Sequence, residues 1–118
     1  VEHLLAGGNC DPVIIERGSV SHMNHVRWDL SISAIPATRA ICEVPVVVDP
    51  SHGTGRRDLV EAMGLAGVVA GADGVLVEVH PDPENSLSDA DQALSFSQFE
   101  QFAERLKTVR TVTEQWRK

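Results

Sequence analysis

The amino-acid sequence predicts an α/β fold in which about three parallel strands are covered by helices. Three observations predict it. Three short apolar runs rich in Val and Ile each close in charged or polar residues, stretches with helical spacing lie between and after them, and the connections are short. The runs do not alternate apolar with polar residues, which suits strands buried on both faces.

Taken in order, Leu4 and Leu5 form the tail of a first helix ahead of Gly7-Gly8-Asn9. Pro12-Val13-Ile14-Ile15 is the first strand and ends in Glu16-Arg17-Gly18. Ser19 to Trp28 has no period. Ser33-Ala34-Ile35-Pro36 opens a short helix through Ile41, with Pro36 in the first turn, where its missing N–H is tolerated. The second strand, Val44-Pro45-Val46-Val47-Val48-Asp49, leads into Pro50-Ser51-His52-Gly53-Thr54-Gly55-Arg56-Arg57. Leu59, Val60, Met63, Ala66, Val69 and Ala70 then recur at helical spacing, and Gly71 is placed to stop that helix in a left-handed conformation. The third strand, Gly74 to His80, is broken by Pro81-Asp82-Pro83. Phe99, Phe102, Ala103, Leu106 and Val109 form the apolar stripe of a C-terminal amphipathic helix with Ser97 as its cap. No linker or low-complexity tract interrupts residues 1–118, which read as one unit.

Composition narrows the function classes. The chain has 118 residues, a formal net charge of −7, 42% hydrophobic and 4% aromatic residues, and no Tyr, so its core is aliphatic. Excess carboxylate repels nucleic-acid phosphates and anionic lipid, and the chain lacks a basic patch, so neither nucleic acid nor membrane is expected as a partner. No apolar run approaches the ~18 residues of a membrane span and the N-terminus lacks a signal-peptide pattern, so a cytoplasmic location is expected. Cys10 and Cys42 form no CxxC pair and are expected to be reduced thiols. Val1 in place of Met is read as a sign that upstream residues were removed or not captured.

Three βα units suit either a doubly wound open sheet or part of a (β/α)8 barrel, a whole one needing about 250 residues. In both, chemistry belongs at the carboxyl ends of the strands, where the charged residues concentrate. His52, Glu78 and Asp89 fall there, and an imidazole with two carboxylates suits a divalent cation such as Mn, Fe, Co or Zn while leaving positions open. By alternation Leu76, Glu78 and His80 share one face of the third strand, and Val75, Val77 and Val79 the other. Arg17, followed by Gly18, is either one half of an Arg–Glu pair or a bidentate grip on a substrate phosphate. Gly53-Thr54-Gly55 with Arg56 and Arg57 reads as an anion-binding turn or, alternatively, as caps on neighbouring carboxylates; it is not a P-loop.

At this point the strings become diagnostic. GNCDPVIIERG, PVVVDPSHGTGRRDLVEAM and GADGVLVEVHPDPENSLSD closely resemble the C-terminal half of the 3-deoxy-D-arabino-heptulosonate 7-phosphate (DAHP) synthases, over about residues 2 to 106. The resemblance is to the compact subfamily related to the 3-deoxy-D-manno-octulosonate 8-phosphate synthases. It implies a partial TIM barrel, the last three βα units of one, and a metal-dependent aldol-type condensation of phosphoenolpyruvate with erythrose 4-phosphate that opens the shikimate pathway of aromatic amino acid biosynthesis. It also implies that His52, Glu78 and Asp89 are three of four metal ligands and that Arg17 meets the phosphoenolpyruvate phosphate. His52 and Glu78 are expected to serve catalysis, and Arg56 and Arg57, from the anion-binding reading of their turn, are expected as further substrate contacts. A homo-oligomer is expected.

The departures from the family pattern are specific. Its fourth ligand is a Cys on an early strand this chain does not include, and its phosphate-binding lysines come from early strands too, whereas the lysines here are Lys107 and Lys118. Between Gly18 and Leu30 the chain reads SVSHMNHVRWD, in which Arg27 matches the family, Val20 replaces an Arg and Trp28 an Asn. His22 and His25 in this stretch are expected as solvated loop residues. Alternative readings are the octulosonate 8-phosphate synthase, which usually carries extra residues after its His, or a non-catalytic half-barrel that pairs with itself or a partner.

Overall fold

In the computed structural model, which describes residues 1–8 and 11–116, the most apolar run of the chain is the middle of the sheet. Strands β1 (Ile14–Glu16), β2 (Val46–Val48) and β3 (Gly74–Val75) are parallel in the order β1-β2-β3. Ile14 pairs with Val46, Glu16 with Val48, and Val48 with Val75. A central strand has neighbours on both edges and layers on its faces, and β-branched valine suits it.

Helices α1 (Glu2–Ala6), α2 (Ala34–Arg39), α3 (Pro50–Thr54), α4 (Arg57–Ala70) and α5 (Phe96–Trp116) complete the α/β arrangement. Leu30, Ile35, Val46, Val48 and Ala72 form one buried cluster, with Ile14 and Met63 packed against it; Val60, Leu94 and Phe102 form a second, with Val75, Val77 and Leu106 against it. Fully burying each such aliphatic side chain contributes about 1.5–3 kcal/mol. Helix α4 lies close on its neighbours because glycine faces them: a Cβ at Gly67 would meet Val48 Cγ1 of the sheet at 2.5 Å, and one at Gly64 would meet the Phe102 ring of α5 at 2.5 Å. Gly71 ends α4 at φ 115°, as its position predicts. Ile15 and Leu76, which alternate with the core-facing residues, are left 47% and 40% exposed on the opposite face of the sheet.

The structure corrects four details. The third strand is a two-residue ladder, but its continuation pairs again: Val79 bridges Leu94 in parallel, with His80 N–H donating to Leu94 O and Leu94 N–H to Glu78 O, both at 2.9 Å. Ala93-Leu94 is too short to show a period and so reads as loop. The α5 cap is Ser95 and not Ser97, since Ser95 Oγ accepts from Gln98 N–H at 3.3 Å while Gln98 Oε1 accepts from Ser95 N–H at 2.8 Å, a reciprocal capping box. Helix α5 also continues to Trp116, past the Val109 at which its apolar stripe ends, and the inward residue on that extension is a polar one, Thr113. Finally, the stretch read as a glycine-rich turn contains α3, with Pro50 in its first turn.

The aperiodic segment 19–31 is anchored at both ends. Ser19 and Asp29 exchange main-chain hydrogen bonds of 3.0 and 2.9 Å, and Arg27 and Trp28 donate to Thr54 O and Gly53 O. Cys42 is a free thiol; Cys10 and Lys118 lie outside the described residues. Among the described residues no helix is long and apolar enough to cross a membrane.

Candidate metal centre

Parallel strands deliver their carboxyl ends to one rim, and three of the sequence-predicted residues meet there. Beyond β2, Asp49 is 1% exposed and caps α3: its Oδ1 accepts from the His52 main-chain N–H at 3.0 Å and its Oδ2 lies 2.8 Å from His52 Nδ1. A buried carboxylate needs such partners. With Nδ1 occupied, the imidazole presents Nε2 outward, 3.9 Å from Glu78 Oε2. Glu78 is fixed through its main chain, donating to Ser51 Oγ at 3.0 Å and accepting from Leu94. Val75 and Val77 pack inward on the second core cluster, which leaves Glu78 on the opposite side of the chain, as alternation predicts.

Asp89 completes the group from the loop that follows. Its φ is 56°, the left-handed region that Asp enters more readily than most side chains. One ligand atom from each of His52, Glu78 and Asp89 lies within 4.8 Å of the others. Metal–nitrogen and metal–oxygen bonds of about 2.0–2.2 Å reach across ligand pairs of about 4 Å, so a small inward adjustment seats a cation. One imidazole and two carboxylates, with the ring's far nitrogen held by a carboxylate, fit such an ion.

His52 and Asp89 of the trio line a cleft of about 530 Å³ whose walls also include Arg17, Arg27 and Trp28. Arg17 Nε lies 3.5 Å from Asp49 Oδ2, and Arg27 Nη1 lies 4.0 Å from Asp89 Oδ1 with its guanidinium 6.0 Å from the centre of the Trp28 ring. Both arginine side chains are more than half exposed, at 61% and 57%, so their remaining donors face the cleft solvent. Gly18, at φ 90°, is where two loops close on this cleft: a Cβ there would meet Trp28 Cβ at 2.8 Å and Gly53 Cα at 3.1 Å.

Arg56 and Arg57 are not brought to this cleft. They line a second one with Asp58, Glu84 and Asp91. Arg56 is forked onto Asp58, at 3.0 and 2.5 Å, and donates to His25 O; the hydrogen bond and charge of Asp58 raise its pKa, and Arg56 in turn lowers that of Asp58. Arg57 is committed to main-chain carbonyls and to Glu84. The residue the sequence reading passed over is Asp49, taken as the end of a strand. Its signal is the spacing of DPSH, a carboxylate three residues ahead of the His with Pro between, which is a helix-cap pattern. His22 and His25 stay exposed and outside the ligand group.

The profile of the DAHP synthetase I family matches residues 1–115. The chain belongs to that family. It is 42% identical over 108 residues to the phospho-2-dehydro-3-deoxyheptonate aldolase of Thermotoga maritima, covering 92% of this chain and 32% of the relative. A truncated form of the 3-deoxy-D-arabino-heptulosonate 7-phosphate synthase from Thermotoga maritima superposes with a TM-score of 0.92 at 40% identity, covering 94% of this chain and 42% of that one. The family's octulosonate branch is also similar: the 2-dehydro-3-deoxyphosphooctonate aldolase of Desulfosudis oleivorans is 34% identical over 98% of this chain and 45% of its own length. The chain thus spans about a third to just under half of the relatives it matches.

Proposed function

We propose that residues 1–118 form the C-terminal part of a TIM barrel that condenses phosphoenolpyruvate with erythrose 4-phosphate, in the manner of the cytoplasmic DAHP synthases. The observation that carries this reading is the convergence of His52, Glu78 and Asp89 at the carboxyl rim of a parallel sheet. These three residues would hold a divalent cation, whose contribution when bound is Lewis-acid polarisation of the aldose carbonyl. Asp49 keeps the His52 ring in the tautomer that leaves Nε2 free. Arg17 and Arg27 supply positive charge on the wall of the same cleft, where a phosphate and a carboxylate need compensation. Arg17 is the phosphate contact, its planar guanidinium having, among the described residues, one long-range partner, Asp49 at 3.5 Å. In the reaction a C–C bond forms between C3 of phosphoenolpyruvate and the aldehyde carbon, water adds at C2, and phosphate leaves.

Higher identity to a heptulonate than to an octulonate relative, 42% against 34%, favours erythrose 4-phosphate over arabinose 5-phosphate as co-substrate. The test is calorimetric titration of Mn²⁺ into wild type and Glu78→Ala, with and without phosphoenolpyruvate. Removal of one ligand is expected to weaken the cation by more than ~100-fold, above the range for residues outside the ligand shell. Equal binding by both proteins would remove the assignment.

A further inference from the structure

We infer that Arg57 is a positioning residue for Asp89, acting on the main chain of the loop that carries it. This rests on the reading of Asp89 as a ligand and assigns to Arg57 a role different from a substrate-phosphate contact. Arg57 is the first residue of α4, and its main-chain nitrogen and all three nitrogens of its guanidinium have a partner on or beside the loop. Its main-chain N–H donates to Asp91 O at 2.8 Å, its Nε to Ala93 O at 2.6 Å and its Nη2 to Ala90 O at 2.6 Å, while Nη1 pairs with Glu84 in the 3₁₀ turn Pro83–Asn85. One residue thus gathers the carbonyls of Ala90, Asp91 and Ala93, the run that directly follows Asp89.

The loop has reason to need this. Asp89 sits at φ 56°, a conformation sparsely populated for a residue with a side chain, so the loop must be over-determined by its surroundings to keep it there. Asp89 O accepts from Gln92 N–H at 3.2 Å and Ala93 N–H at 3.0 Å, which closes the turn but does not tie it to the rest of the fold. Beyond the Leu94 pairing that holds the loop's far end, Arg57 ties residues 90–93 to a helix that begins just after the one carrying His52. The planar fork of a guanidinium serves two carbonyls and a carboxylate in fixed directions, which the single nitrogen of a lysine cannot do.

The experiment is a double-mutant cycle read by Mn²⁺ calorimetry, with Co²⁺ visible absorption as the signature of ligand geometry and a thermal melt confirming that each protein is folded at the titration temperature. Asp89→Asn should weaken the cation most. Arg57→Met should weaken it ~10–100-fold and alter the Co²⁺ bands, and Arg57→Lys, which keeps the charge and should fold where Met does not, should still lose ~10-fold or more. Arg57→Met added to Asp89→Asn should cost little further affinity, because both act through one ligand. Unchanged affinity in both Arg57 variants alongside a weakened Asp89→Asn, or fully additive losses in the double variant, would overturn the positioning role while leaving the ligand set intact. Unchanged affinity in Asp89→Asn would remove the ligand reading itself, and the inference with it.

Discussion

His52 and Asp89 arrive at the same point by opposite means. His52 rides on a short helix whose cap, Asp49, is buried and bonded both to its main chain and to its ring. Asp89 rides on a loop, in a left-handed conformation, with Arg27 4.0 Å from its carboxylate. The difference follows from the ligands. An imidazole has two distinct nitrogens, so both its rotation and its tautomer must be set, and a buried carboxylate one helical turn away sets both. A carboxylate has two equivalent oxygens and needs only its backbone placed, which hydrogen bonds to neighbouring carbonyls do.

The sharpest way to break the comparison is Asp49→Asn. The amide keeps one acceptor and turns an N–H₂ group toward Nδ1, so either that bond is lost in a buried setting or the ring switches to the tautomer whose proton sits on Nε2, the nitrogen that faces the ion. Cation affinity should fall ~10–100-fold and stability by about 1–3 kcal/mol, by calorimetry and urea denaturation. Affinity equal to wild type would mean that the ring needs no such support. Gly67→Ala tests the packing beneath Asp49, since the added methyl would meet Val48, the residue preceding Asp49, at 2.5 Å. A loss of about 1–3 kcal/mol in urea is expected, and a melt no lower than wild type would show that α4 has room to shift.

Ser95→Ala probes the other side, where the loop feeds into α5. Loss of the cap should cost about 1 kcal/mol with little change in cation affinity, since Arg57 still holds the loop; a drop as large as that of Asp49→Asn would erase the distinction drawn above. The smallest effect belongs to Asp58, an exposed carboxylate bonded to Arg56 near the start of α4. The Arg56 hydrogen bond and charge depress its folded pKa, so the pair's contribution is present above the unfolded value and lost as pH falls through the lower folded one. NMR titration of the side-chain carboxyl should place the midpoint below the ordinary carboxylate range, and a midpoint within that range would show the pair to be open in solution.

The strands, α4 with its Gly71 stop and the amphipathic α5 were legible because each repeats a pattern over many residues or ends in a residue with one strong conformational preference. The parallel bridge at Leu94 and the helix α3 were not. The first is a single residue of ladder, and the second hides its cap, Asp49, at the end of a valine run, so both fall below any periodicity. Of the candidate site, the three residues that converge, His52, Glu78 and Asp89, could be picked out because they follow strands or lie in the loop beyond one, within strings that resemble the family's.

Sequence alone determined the α/β class, the aliphatic core, the family and the three ligand candidates, since composition, spacing and motif are properties of the chain taken in order. Only the tertiary structure decided that Asp49 orients His52, that Arg27 stands on the wall beside Asp89, and that Arg57 turns away from that cleft to grip the loop. Those outcomes depend on which groups come within hydrogen-bonding or ion-pairing reach of one another, about 3–4 Å. Residues as far apart in the chain as Arg57 and Ala93 acquire such a distance only when the sheet, the helices and the loops between them pack.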